Sequence, residues 1–127
     1  MGQAQRPSRI ALVVEDDRDL RDLAAALLEE TPLRVEGASS AEEALHYLKE
    51  HADEVAFALV DVRLPCLMDG VDLARTISLK WPWIRVTVTS GAPGDRIEHL
   101  PRSAAFLPKP WRALDVLVEA ERAVARA

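Results

Sequence analysis

A single cysteine, Cys66, excludes an internal disulfide, and the N-terminus lacks the charged start and apolar segment of a secretory signal. Both absences point to the cytoplasm. No apolar run approaches the roughly 20 residues that span a bilayer, so no membrane insertion is expected. Basic residues are sparse: 16 Lys and Arg stand against 21 Asp and Glu, without a dense basic run. Duplex DNA binding depends on such a run, so no direct nucleic-acid partner is expected. No Gly-rich phosphate loop follows the first apolar run, and no Gly-x-Ser-x-Gly elbow surrounds Ser90, which argues against a nucleotide-binding Rossmann domain and a hydrolase triad. His46, His51 and His99 share neither a helical face nor a ligand spacing with Cys66, so zinc is not expected. Trp81, Trp83 and Trp111 suit the closing of an apolar layer or the surface better than a nucleobase platform. There is no internal repeat, low-complexity tract or linker, so one domain is expected.

What is present is an ordinary globular balance, 49% hydrophobic and 29% charged over 127 residues. Residues 1–9 read as a polar leader, and the core begins at Ile10. Ile10 to Val14 is continuously apolar and stops at Glu15-Asp16-Asp17, the signature of a strand buried on both faces. Leu20, Leu23, Ala24, Leu27 and Leu28 then form the stripe of a helix ending before Pro32, with Asp17 placed to cap it. Leu33 to Ala38 alternates as a sheet-edge strand does. Ser40 and Glu43 offer a capping box for a helix whose inner face is Ala41, Ala44, Leu45 and Leu48.

Val55 to Val60 is a third apolar run ending in Asp61, followed by a helix signalled by Val71, Ala74 and Ile77. Ile84 to Thr89 ends in Ser90-Gly91, and the stretch from Pro93 to Pro101 allows only a short or irregular helix. Ala104 to Leu107 supplies a fifth strand before Pro108-Lys109-Pro110, and Leu114, Leu117, Val118 and Glu121 mark the expected inner side of the last helix. Strands alternating with helices predict a doubly wound α/β domain: a mostly parallel sheet with helices on both faces.

In such a sheet the chemistry gathers outside the C-terminal ends of the strands. Those ends carry Glu15 and Asp16, then Asp61, then Ser90, then Lys109. Carboxylates brought within about 4 Å of each other repel by on the order of 4 kcal/mol per pair at an effective dielectric near 20, so a cation is expected among them. A hard divalent ion such as Mg2+ suits oxygen ligands, and Lys109 adds a second positive charge. An aspartate beside both can attack a phosphoryl donor, because the cations neutralise charge spreading over the transferred oxygens. Singly, each of these residues also reads as a helix cap, turn or surface residue. Jointly, four strand ends with complementary groups are hard to explain as a neutral surface.

From Ile10 to about Val124 the chain resembles the receiver domain of bacterial two-component response regulators. The resemblance rests on Leu12-Val13-Val14-Glu15-Asp16-Asp17, Leu59-Val60-Asp61-Val62-Arg63-Leu64-Pro65 with Met68-Asp69-Gly70, Val88-Thr89-Ser90-Gly91, and Phe106-Leu107-Pro108-Lys109-Pro110. It implies a flavodoxin-like five-stranded parallel sheet of order 2-1-3-4-5, with residues 10–127 as the receiver domain. It further implies that Asp61 is the phosphoacceptor, that Asp16, Asp61 and the backbone carbonyl of Arg63 bind Mg2+, and that Glu15 assists through water. Ser90 would hydrogen-bond the phosphoryl group, Lys109 would pair with it, and Phe106 would be the aromatic that reports the state. The Lys109-Pro110 peptide bond is cis in the family.

The function implied is a phosphorelay switch: a histidine kinase or histidine phosphotransfer protein donates the phosphoryl group, and affinity for a downstream protein target changes. Such a domain is not an enzyme in the usual sense, although it catalyses its own phosphorylation and slow dephosphorylation. It is expected as a monomer or weak homodimer. Because the chain stops soon after the last helix, the alternatives are a stand-alone regulator and a receiver excised from a hybrid kinase or larger regulator. A phosphatase working through an aspartyl phosphate is disfavoured, because the position two residues after Asp61, where a general acid would stand, holds Arg63. Two departures from the family pattern stand out. Cys66 and Leu67 both intervene between Pro65 and Met68, one residue more than usual, so the loop beside the metal is expected to be reshaped. The fourth helix is expected to be stunted, shifted or mobile, which alters the usual output face.

Overall fold

The computed structural model describes residues 9–92 and 95–126. Strand β1 (Ile10–Val14) leads into α1 (Arg18–Leu28), β2 (Arg34–Ala38) into α2 (Ala41–His51), and β3 (Val55–Asp61) into α3 (Gly70–Lys80). Strand β4 (Arg85–Ser90), a single 3-10 turn (Ile97–His99), β5 (Ala105–Pro108) and α4 (Ala113–Arg126) complete the chain. The five strands are parallel in the order β2-β1-β3-β4-β5, as the resemblance implied. The short fourth helix expected between Pro93 and Pro101 is that one 3-10 turn, and Pro93 and Gly94 lie outside the described residues. Residues 1–8 of the leader lie outside them as well. Arg9 is already tied to the sheet, donating its amide to Glu54 O at 2.7 Å and accepting from Arg34 N at 2.8 Å.

Side chains of β1, and of β3 from Phe57 onward, point alternately to two apolar layers, which is why both strands read as unbroken hydrophobic runs. Leu12, Val14 and Val60 face α2 and α3, whereas Ala11, Val13 and Leu59 face α1 and α4. Phe57 is fully buried in the second layer, worth about 1.5–3 kcal/mol relative to an exposed ring. Trp81 and Trp111 close the two layers, while Trp83 is half-exposed and donates its indole N–H to Ala52 O at 3.0 Å.

Three local expectations are corrected. The inner side of α4 is Val116, Glu119, Ala120 and Ala123, not Leu114, Leu117, Val118 and Glu121; Leu114 is 69% exposed. The helix is turned by its buried carboxylate: Glu119 Oε1 accepts from Arg85 of β4 at 2.7 and 3.0 Å. In α1 only Ala24 and Leu28 are buried, and Leu23 is 56% exposed. Its first turns overhang the strand ends, where Leu20, Leu23, Gly91, Lys109, Pro110 and Trp111 line an open apolar groove. At α2, Ser40 caps the Glu43 amide as expected, but the Glu43 carboxylate turns to the amide and hydroxyl of Ser39 rather than back to Ser40. The full capping box belongs to α3, between Asp69 and Asp72.

Candidate phosphoacceptor and metal site

Strand order reverses between β1 and β3, and their register pairs Val14 with Val60, so the next residues, Glu15 and Asp61, emerge side by side. On the other flank Asp61 is level with Thr89, and the Val62 amide donates to Thr89 O at 2.9 Å. Ser90 follows. It is level with Pro108, and its carbonyl accepts from the Lys109 amide at 2.9 Å. The register of one parallel sheet therefore brings all four strand ends to one rim. The Lys109-Pro110 peptide is cis, as the resemblance implied.

Carboxylate oxygens of Glu15, Asp16 and Asp61 lie within 4.8 Å of one another. Glu15 and Asp61 are buried and Asp16 is exposed. Asp17 stays out of the cluster, because its side chain caps α1 by accepting from the amides of Asp19 and Leu20. Lys109 Nζ stands 3.1 Å from Glu15 Oε1 and 3.2 Å from Asp61 Oδ1. Burial raises the pKa of both Asp61 and Glu15 above ordinary carboxylate values, despite Lys109. Burial also works against the Lys109 charge, but its contacts with the two carboxylates outweigh this and raise its pKa. One ammonium does not fully compensate three crowded carboxylates. An all-oxygen donor set with charge to spare fits a hard divalent cation.

The remaining expected residues are Arg63 and Phe106. The Arg63 amide donates to the Asp61 carboxylate, while its guanidinium turns to Asp95, with Nε 3.2 Å from Oδ1. Phe106 lies on β5 level with Val88 and is 37% exposed. The lengthened loop turns through Cys66, which adopts the left-handed conformation with φ 75°, and leaves Leu67 exposed.

Two residues carry contacts here that the sequence did not announce. Glu42, in the first turn of α2, accepts from the amides of Leu67 and Met68 at 3.2 and 3.0 Å and so holds the loop. Asp95, inside the irregular stretch, accepts from the Ser90 hydroxyl and from Arg63. Neither has a local signal beyond being acidic, since their partners lie as far as 26 and 32 residues away.

The family model described as the response regulator receiver domain matches residues 11–121. The chain belongs to that family. Among solved structures, a receiver domain protein from Clostridium thermocellum superimposes with TM-score 0.82 at 28% identity, covering 93% of this chain and 95% of that one. The receiver domain of NtrX from Brucella abortus does so with TM-score 0.79 at 28% identity, over 92% and 99% of the two chains. Against the longer NtrX chain from the same organism the TM-score is 0.78 at 28% identity, with 93% of this chain covered but only 27% of that one. No curated protein matches in sequence. Among the described residues of this receiver domain, no helix is long and apolar enough to cross a membrane.

Proposed function

We propose that this receiver domain is a phosphoacceptor switch that takes a phosphoryl group on Asp61. The observation that carries the reading is the placing of Asp61: buried at the end of the central strand, 3.2 Å from the Lys109 ammonium, with Glu15 and Asp16 alongside. A carboxylate oxygen of Asp61 attacks the phosphorus of a phosphohistidine, the P–N bond breaks, and the donor's imidazole leaves. Lys109 pairs with the incoming oxygens, and the Ser90 hydroxyl donates to one of them.

Glu15, Asp16, Asp61 and the Arg63 carbonyl are the groups to hold Mg2+. The ion neutralises charge on the transferred oxygens when bound. The donor is a histidine kinase or histidine phosphotransfer protein. It meets the apolar groove of Leu20, Leu23 and Trp111 on the same rim. Phe106, exposed on β5, shifts with the state of Ser90 and alters affinity for a downstream protein target. The protein turns over no separate substrate, but it catalyses its own modification and its slow reversal.

The test is incubation with Mg2+ and acetyl phosphate, read by intact mass. Wild type gains one phosphoryl group and Asp61→Asn gains none. Modification of the variant to the wild-type extent overturns the reading.

A further inference from the structure

Among the described residues after β4, residues 91–92 and 95–100 are exposed or half-exposed, yet they include one carboxylate whose side chain is only 8% exposed, that of Asp95. Its two oxygens are separately engaged: Oδ2 accepts from the Ser90 hydroxyl, and Oδ1 accepts from Arg63 Nε at 3.2 Å. The next residue, Arg96, bridges to Asp69 and Asp72 at 3.0 and 3.2 Å, anchoring the segment to the start of α3. An anionic group held by a hydroxyl and a guanidinium at the rim of a phosphoacceptor site occupies donors that a phosphoryl group also needs.

We propose that Asp95 is an internal competitor of the phosphoryl group: its carboxylate occupies Ser90 until an oxyanion on Asp61 displaces it. This rests on the reading of Asp61 as the phosphoacceptor. The Ser90 hydroxyl has one proton to donate, so it cannot serve Asp95 and a phosphoryl oxygen together. A charge-assisted hydrogen bond must therefore be given up on modification. Arg63 holds Asp95 in place from the exposed side. Arg96 restrains the segment independently, so Asp95 can withdraw without the whole segment leaving. The Asp95 carbonyl accepts from Ile97 N at 2.8 Å, and the amides of His99 and Leu100 are bonded within the same turn at 3.0 and 3.1 Å. Withdrawal of Asp95 loosens that turn, so an event at Asp61 is felt there.

The experiment uses beryllofluoride with Mg2+ as a non-transferable phosphoryl mimic on the full chain. Its affinity is measured by calorimetry for wild type, Asp95→Asn and Arg63→Gln. Amide exchange is followed at Ile97, His99 and Leu100. Asp95→Asn is expected to bind the mimic roughly tenfold more tightly, the factor that about 1.4 kcal/mol of lost competition provides. Arg63→Gln shifts affinity in the same direction by a smaller factor. Saturating the wild type speeds exchange at the three amides, and in Asp95→Asn they exchange fast before the mimic is added. Equal affinities for wild type and Asp95→Asn, or exchange in the wild type that ignores the mimic, overturns the proposal. If Asp61→Asn binds the mimic as wild type does, the Asp61 reading itself fails, and the competitor proposal falls with it.

Discussion

Gly70 lies so close to Asp61 that a Cβ placed on it would stand 2.1 Å from the Asp61 carbonyl oxygen. The first residue of α3 is thus packed directly on the end of β3, with the Gly70 amide donating to Val62 O at 2.8 Å. The backbone of Asp61, the proposed phosphoacceptor, is gripped by the start of the next helix, which requires a residue without a side chain there.

Gly70→Ala must therefore push α3 away from β3 or displace Asp61. A loss of roughly 1–3 kcal/mol is expected for overpacking of this kind, measured by urea unfolding. Phosphorylation by acetyl phosphate slows in the fraction that folds. Unchanged stability and unchanged rate would show that the helix start can shift freely.

Mg2+ affinity is expected to depend on Asp16 and hardly at all on Asp17. Asp16 is exposed within the carboxylate cluster, whereas the Asp17 side chain is committed to the amides of Asp19 and Leu20. In calorimetric titration Asp16→Ala loses most of the binding. Asp17→Ala retains it but melts lower, because loss of an N-cap costs about 1 kcal/mol.

The metal-free protein gains stability on mild acidification. Burial raises the pKa of Asp61 and Glu15 in the folded state, so that state binds protons more readily than the unfolded chain, and the unfolding free energy rises as pH falls through those raised values. The gain ends lower down. Glu43, whose pKa is lowered by hydrogen bonds from the Ser39 amide and hydroxyl, contributes stability above its unfolded value that is lost as pH falls through its folded one. Asp61→Asn mimics the neutral form permanently. Without Mg2+ at about pH 7 it should melt a few degrees above wild type, and much of the rise on acidification should vanish. A lower melting temperature for Asp61→Asn would mean that the Lys109 pairing outweighs the burial.

Dephosphorylation is expected to be slow, because no side chain two residues beyond Asp61 or Ser90 can activate a water. Arg63 carries a permanent charge and is turned to Asp95, and Ala92 has no polar group. Ala92→Glu leaves Arg63 itself unchanged and should speed decay of the phosphorylated form roughly tenfold or more. Decay of the wild type within seconds, or no change in the variant, contradicts this.

Glu119→Ala strands the Arg85 guanidinium, whose side chain is 18% exposed, between β4 and α4. A loss of about 3 kcal/mol is expected by denaturant unfolding, since removing one partner leaves a largely buried charge unpaired. Glu119→Gln loses less, because the amide oxygen still accepts from Arg85. Mg2+ binding should be preserved in both.

The amino-acid sequence by itself determined the alternation of strands and helices, and with it the rim on which Glu15, Asp16, Asp61, Ser90 and Lys109 meet. Strands buried on both faces must be continuously apolar, so their ends are written as abrupt changes to polar residues, and a parallel sheet places all such ends on one side. The same local rule marked the stretch between β4 and β5 as unable to form a full helix, because prolines at 93 and 101 act on their immediate neighbours. The tertiary structure alone decided which face α4 buries. Periodicity favoured Leu114 and Leu117, but a carboxylate is buried when it finds a partner, and Arg85 of Glu119 comes from a strand 34 residues earlier. The grip of Glu42 on the lengthened loop and the engagement of Ser90 and Arg63 by Asp95 were likewise settled only by folding. A charged side chain reads as solvated until distant elements bring its donors within about 3 Å, and no local pattern encodes that meeting.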